Sequence, residues 1–186
     1  HKPVPACNFA QTPCQAALRL SGDEKVNFER IAAIKIRVPR AGALYPGCDH
    51  RGPFAHILQA KMSIQYNVAA ALMLGNVSEK NFTLLKDPSL HRLISMMELI
   101  VDNEMTRAYP ALQGGEVRIT EIDGTTHRKR LDNVVNATAV EVRDRFRISA
   151  NAVVSAKRAA EIEQSVDSLE HSDDAGKLAE LLRAEG

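Results

Sequence analysis

The chain holds 186 residues, 45% of them hydrophobic and 25% charged, a composition that supports a real core and excludes disordered and collagen-like classes. Its 24 basic and 23 acidic side chains leave a net charge of +1, so it carries no electrostatic footprint for nucleic acid or an anionic membrane. Cys7, Cys14 and Cys48 lack CxxC spacing, which argues against a disulfide framework, a zinc ribbon or an iron–sulfur cluster held by this chain alone, and sets a cytosolic or mitochondrial-matrix expectation.

The opening HKPVPAC is extended and Pro-punctuated, and reads as the start of an excised fragment. Residues 12–20 predict a short helix with Thr12 as N-cap, Pro13 at the first helical position and Gly22 as its stop. Residues 31–38 alternate as a strand, with Ile34, Ile36 and Val38 on one face and Lys35 and Arg37 on the other. A Gly- and Pro-rich irregular stretch, 39–54, follows, of a length that is usually functional or mobile.

That stretch feeds into KMSIQYNVAAALMLG, residues 61–75, a helix that is mostly apolar yet carries a polar stripe. At 100° per residue from Gln59, Ser63 falls at about 40°, Tyr66 at about −20° and Asn67 at about 80°, so the four share one face. Residues 68–74 carry no polar side chain, which puts the helix in a core and makes the stripe a candidate cleft wall. Interior polar groups that merely fix packing would give the same pattern. The apolar run is too short to span a bilayer, and no signal peptide opens the chain.

Beyond Gly75, NVSEKNF predicts a short helix capped by Ser78, and DPSLHRL another with Asp87 as N-cap and Pro88 at N1. Residues 97–101 are β-prone. Residues 115–122 and 125–131 alternate around Asp123-Gly124 and predict a hairpin with a two-residue turn. From Thr138 the pattern is helical and charged, in three helices broken near 149–151 and 171–174, with Val153, Ala156, Ala160, Ile162, Val166 and Leu169 as an apolar stripe and Asp173 or Asp174 capping the last. The order of elements predicts an α+β fold, a two-layer sandwich of a mostly antiparallel sheet covered by helices, with a helical C-terminal segment.

Among titratable residues Lys2 stands out, because Pro3 and Pro5 stiffen the segment around it. His50 and His56, with Asp49 and Arg51, flank the loop entering the striped helix, and donors of this kind suit an anionic substrate. Cys48, Asp49, His50 and His56 match no metal-ligand spacing. His91 and His127 read as surface residues, the basic run 127–130 as a solvated strand edge, and the charges after Arg143 as helix-surface pairs. No nucleophile elbow, P-loop or dinucleotide fingerprint is present.

HKPVPACNFAQTPCQAALRL, then IAAIKIRV, AKMSIQYNVAAALMLGNVSEKNF and AAEIEQSVDSLE, in this order and separation, together resemble the C-terminal domain of the MmgE/PrpD family along nearly the whole chain, 1–186. That family includes 2-methylcitrate dehydratase, cis-aconitate decarboxylase and iminodisuccinate epimerase. The resemblance implies a lid-like α+β domain of a homodimeric enzyme whose all-helical N-terminal domain supplies further catalytic groups. It also implies small di- or tricarboxylate substrates, and chemistry without metal or organic cofactor. The family's lysine at the start of this domain matches Lys2, and its helix tyrosine matches Tyr66.

Reactions beside a carboxylate need a cation for developing enolate charge and a placed proton donor or acceptor. Lys2 suits the first role and Tyr66 the second, with Ser63, Asn67 and His50 as substrate-binding neighbours. Lys2 and Tyr66 are therefore expected together on one open concave face. Between Arg130 and Thr138 the chain reads LDNVVNA, where many relatives have a Gly- and Pro-containing loop. Dehydratase, decarboxylase and epimerase readings thus stay open, beside that of an autonomous non-catalytic binding module.

Overall fold

The computed structural model describes residues 2–24 and 26–183. The chain divides into two compact units, one spanning Lys2–Asn136 and one beginning at Ala137.

In the first unit, α1 (Gln11–Asp23) follows a single 3-10 turn, Asn8–Ala10. With Ala10 in the cap position the helix starts two residues earlier than its sequence predicts, and it runs through Gly22. Thr12 is therefore not its cap: the hydroxyl, inside the first turn, donates to the Gln113 carbonyl at 2.7 Å. Pro13 still costs no hydrogen bond, because the N–H groups of a first turn have no intrahelical partner.

β1 (Ile31–Val38) buries Ile34, Ile36 and Val38 as its alternation predicts. A bulge between Ile31 and Ala33 lets Ile31 turn inward as well, out of phase with the others. A short helix, α2 (Arg40–Leu44), interrupts the long irregular stretch.

The striped helix is two helices, α3 (Ile57–Met62) and α4 (Ile64–Leu74). Ser63 between them is extended, with φ −65° and ψ 121°, and its hydroxyl accepts the Tyr66 N–H at 3.0 Å. Ser63 thus caps the second helix, a role its side chain fills more readily than a helix interior. Residues 64–72 are buried on every side, as an apolar helix at a core centre must be. Gly75, at φ 62°, ends α4 with its N–H on the Ala71 carbonyl.

After a 3-10 turn at Glu79–Thr83, α5 (Pro88–Ser95) begins as predicted, with the Asp87 carboxylate accepting the Leu90 N–H at 3.0 Å. β2 (Met97–Val101) and α6 (Asn103–Ala108) follow, the latter capped by Asp102 through the Glu104 and Met105 N–H groups. β3 (Gly115–Glu121) and β4 (Thr126–Leu131) form the predicted hairpin. Its loop is longer than a two-residue turn: Glu121 N–H donates to the Thr125 carbonyl, and Gly124 N–H to the Glu121 carbonyl, enclosing Ile122, Asp123 and Gly124. Gly124 takes φ 87°, the left-handed position such a three-residue loop requires.

The sheet order is β2-β1-β3-β4, with β1 parallel to β2 and the other pairs antiparallel. Two of three pairings being antiparallel, with α1 against β3 and β4 and α4 against α1 and α5, the fold is α+β, a sheet covered by helices. The basic run on β4 is paired rather than simply solvated. Arg128 meets Glu116 at 2.7 Å, Arg130 meets Glu104 at 2.9 Å, and His127 bridges Glu24 and Glu121.

The second unit contains α7 (Ala139–Ala150), α8 (Ala156–Asp167) and α9 (Gly176–Leu181), broken where the sequence predicts. Thr138 and Glu141 cap the first of these reciprocally. Arg143 and Arg147 both reach Glu163 at 2.8 Å, so these charges join two helices instead of decorating one. Asp174 accepts the Gly176 N–H at 2.8 Å at the start of α9. Of the predicted apolar stripe, Ile162 is buried, whereas Val153 and Val166 are exposed. Among the described residues, no helix is long and apolar enough to cross a membrane.

Candidate active site

Lys2 lines an open cleft of about 510 Å³ in the first unit, together with Cys7, Asn8, Phe9, Ala41, Tyr45, Met62 and Tyr109. Its segment is held in place by a residue that the sequence pattern does not flag. Gln11, 1% exposed, accepts the Val4 N–H at 2.9 Å and donates to the carbonyls of Val4 at 2.9 Å and Ala6 at 3.1 Å. The buried amide thus behaves as a local sheet partner for the opening segment. Cys7 N–H adds a bond to the Lys61 carbonyl at 2.9 Å, tying the segment to the end of α3.

Part of the lining is aromatic. Phe9 packs tilted between Tyr45, 5.4 Å between centroids, and Tyr109, 5.7 Å. Tyr45 is half-exposed, and among the described residues neither its phenol nor that of Tyr109 meets a hydrogen-bond partner. Lys2 Nζ donates to the Ala6 carbonyl at 3.5 Å. A cation and two phenols around one hollow can bind an anion and donate protons to it. The hollow between α8 and α9 is lined by charges of both signs, Lys157, Arg158 and Lys177 with Glu161 and Glu180, and by no phenol.

Tyr66 does not reach the Lys2 cleft. It is fully buried, its hydroxyl donating to the Asn81 carbonyl at 2.8 Å, its ring edge-on to Phe54 at 5.0 Å and stacked on Phe82 at 5.9 Å. Burial pushes its pKa up to about 12; a backbone hydrogen bond at Leu84 partly offsets this and the Asp87 charge adds to it. At neutral pH this phenol is a donor and not a base.

The other stripe residues hold the α3–α4 joint. Ser63 donates to the His50 carbonyl at 2.5 Å, and the Asn67 amide reaches the carbonyls of Ala60 at 3.0 Å and Ser63 at 2.7 Å. Gln59 caps the start of α3 through the Ala55 and His56 N–H groups. The expected open stripe is thus an interior frame, because the break at Ser63 turns these groups onto backbone. The His50 ring packs edge-on to Phe54 at 5.0 Å, and its Nε2 is buried without a hydrogen-bond partner among the described residues. Cys48, Asp49, His50 and His56 do not form a metal cluster; among the described residues no group of three or more His, Cys, Asp or Glu does.

Sequence reasoning missed Tyr45, Tyr109, Asn8 and Gln11. No local pattern marks them, since the cleft is assembled from the opening segment, α2 and the residue after α6.

Comparison with curated proteins finds no match. The family model described as the MmgE/PrpD C-terminal domain matches residues 4–171, a span that includes His50, Ser63, Tyr66 and Asn67 and begins two residues after Lys2. With most of its length matched, the chain belongs to the MmgE/PrpD family, a family of dehydratase-like enzymes, through that family's C-terminal domain.

Proposed function

We propose that this chain is the small, lid-like domain of a cofactor-independent lyase acting on a small di- or tricarboxylate, of the 2-methylcitrate dehydratase type. The chemistry would be completed by the all-helical domain that the resemblance implies, in a homodimeric parent, and the chain alone would be inactive. The carrying observation is the Lys2 cleft, where Lys2, Tyr45 and Tyr109 line the same hollow.

In this reading Lys2 anchors a substrate carboxylate and stabilises charge that develops on the adjacent carbon. Tyr45 and Tyr109 stand ready as donors. Tyr66, the tyrosine implied by the resemblance, is sealed off from this cleft and reaches substrate only if its slot between Phe54 and Phe82 opens. Ser63, Asn67 and His50 serve by fixing the joint that carries Met62 into the cleft wall.

The test is an assay of the full-length parent against 2-methylcitrate, cis-aconitate and iminodisuccinate, which also decides between dehydratase, decarboxylase and epimerase. Lys2→Ala should lower kcat/KM by about 10²- to 10³-fold, as removal of an oxyanion stabiliser does. Turnover unchanged in that variant would overturn the role of Lys2. Tyr66→Phe, Tyr45→Phe and Tyr109→Phe, assayed in parallel, show which phenol the reaction uses. Absence of turnover on all three substrates would favour an autonomous binding module.

A further inference from the structure

We propose that Cys7 and Cys48 are a redox-modifiable thiol pair in the wall of the Lys2 cleft, closing to an intramolecular disulfide when the protein meets a peroxide. The two sulfurs lie 3.5 Å apart across a sequence separation of 41 residues, and both thiols are free. Their exposure differs in a useful way: Cys7 is partly exposed and lines the cleft, whereas Cys48 is sealed.

The backbones of both residues are already anchored to one place. Cys7 N–H donates to the Lys61 carbonyl at 2.9 Å, and the Cys48 carbonyl accepts the Ile64 N–H at 2.9 Å, on the two sides of the Ser63 joint. Cys48 N–H is held in turn by the Tyr45 carbonyl at 3.0 Å. A disulfide needs the sulfurs at about 2.05 Å, so from 3.5 Å they must approach by roughly 1.5 Å.

Accessibility sets the order of events. The Cys7 thiolate attacks one peroxide oxygen, the O–O bond breaks, and the departing hydroxide takes up the thiol's proton to leave as water. Cys7 is then a sulfenic acid. The Cys48 sulfur attacks the Cys7 sulfur, the S–O bond breaks, and the hydroxyl leaves as water with the Cys48 proton. In sum two thiols lose two protons and two electrons, and one hydrogen peroxide becomes two waters. Burial, with the neighbouring Cys7, pushes the Cys48 thiol up, so it is not the sulfur that meets peroxide first. Closure draws the Cys7 sulfur from the cleft wall, so oxidation reshapes the hollow that Lys2 lines.

Cys14 is an internal control. It is buried, its thiol directed to the Asn67 carbonyl at 3.6 Å. The full chain is treated with hydrogen peroxide, remaining thiols are alkylated under denaturing conditions, and an unreduced digest is read by mass spectrometry. The expected result is a fall from three titratable thiols to one, with the Cys7 and Cys48 peptides joined and released by dithiothreitol. In Cys48→Ala, dimedone should trap the Cys7 sulfenic acid, and in Cys7→Ala, Cys48 should stay reduced. Cys7 driven to sulfinic acid in the wild-type chain, a Cys7–Cys7 link between chains, or all three thiols still titratable would overturn the proposal.

Discussion

The Tyr66 hydroxyl donates to the Asn81 carbonyl across 2.8 Å inside a sealed slot, between the ring of Phe54 and that of Phe82. Asn81 is itself 3% exposed, and its side chain accepts from the Ser78 N–H and donates to the Asn76 carbonyl. The bond therefore pins the turn after α4 onto the first turn of that helix. Tyr66→Phe keeps both ring contacts and removes one donor, leaving the carbonyl buried and unpaired. A loss of about 1–3 kcal/mol in urea unfolding is expected. Unchanged stability would mean that the carbonyl finds water, and that the slot is more open than its burial indicates.

Gln11 is a second buried polar group whose removal should be felt, this time at the candidate site. Its amide meets both the N–H and the carbonyl of Val4 and the carbonyl of Ala6. Gln11→Leu conserves approximate volume and deletes all of these bonds. The expected loss is about 2–3 kcal/mol, because several backbone groups lose their partner together. Amide hydrogen exchange at Val4, Ala6 and Cys7 should accelerate more than exchange in α4. Uniform acceleration through the unit would show global destabilisation instead of release of the Lys2 segment.

Much of this fold is legible in the sequence where the signal is local. Asp87-Pro88 announces α5 because a carboxylate cap and a ring-fixed φ act within one turn. The β3–β4 hairpin shows through alternation around Asp123-Gly124, although the Glu121–Thr125 bond makes its loop three residues long. The break at Ser63 is less visible. Ser63 is a good cap residue, but nothing nearby says that its hydroxyl will find the His50 carbonyl and that Asn67 will secure the joint. The parallel pairing of β1 with β2 is likewise set by the crossover through α2 to α5. For the site, Lys2 is conspicuous through its flanking prolines, whereas Tyr45 and Tyr109 become neighbours only because both pack on Phe9.

Gly115 marks a close approach of sheet to helix. A Cβ there would lie 2.9 Å from Pro13 Cδ, 2.9 Å from Pro13 N and 3.1 Å from Thr12 Cβ. Two of these atoms belong to a proline ring inside a helix, so neither can swing aside. Gly115→Ala should cost about 1–3 kcal/mol as an overpacking substitution, and should lengthen the Thr12 bond to the Gln113 carbonyl, now 2.7 Å. A wild-type melting curve for this variant would show that α1 can shift away from β3 freely.

His127 makes stability depend on pH in a predictable direction. Burial opposes its charge, but hydrogen bonds to Glu24 at 2.8 Å and Glu121 at 2.9 Å outweigh that, and its pKa is raised above the ordinary value. A group whose folded pKa exceeds its unfolded one stabilises fully below the unfolded value, about 6.5 for histidine, and that contribution fades as pH rises through the folded value. Unfolding should thus be measured from pH 5.5 to 9 for the wild-type chain and for His127→Gln. The wild-type advantage should be largest at the acid end and shrink toward the alkaline end, since only the imidazolium can satisfy both carboxylates at once. Glu121 also holds Arg30 at 3.1 Å, so the residual alkaline difference should stay small while that second cation remains charged. A constant difference across the range would mean that His127 bridges the two carboxylates without a change in protonation.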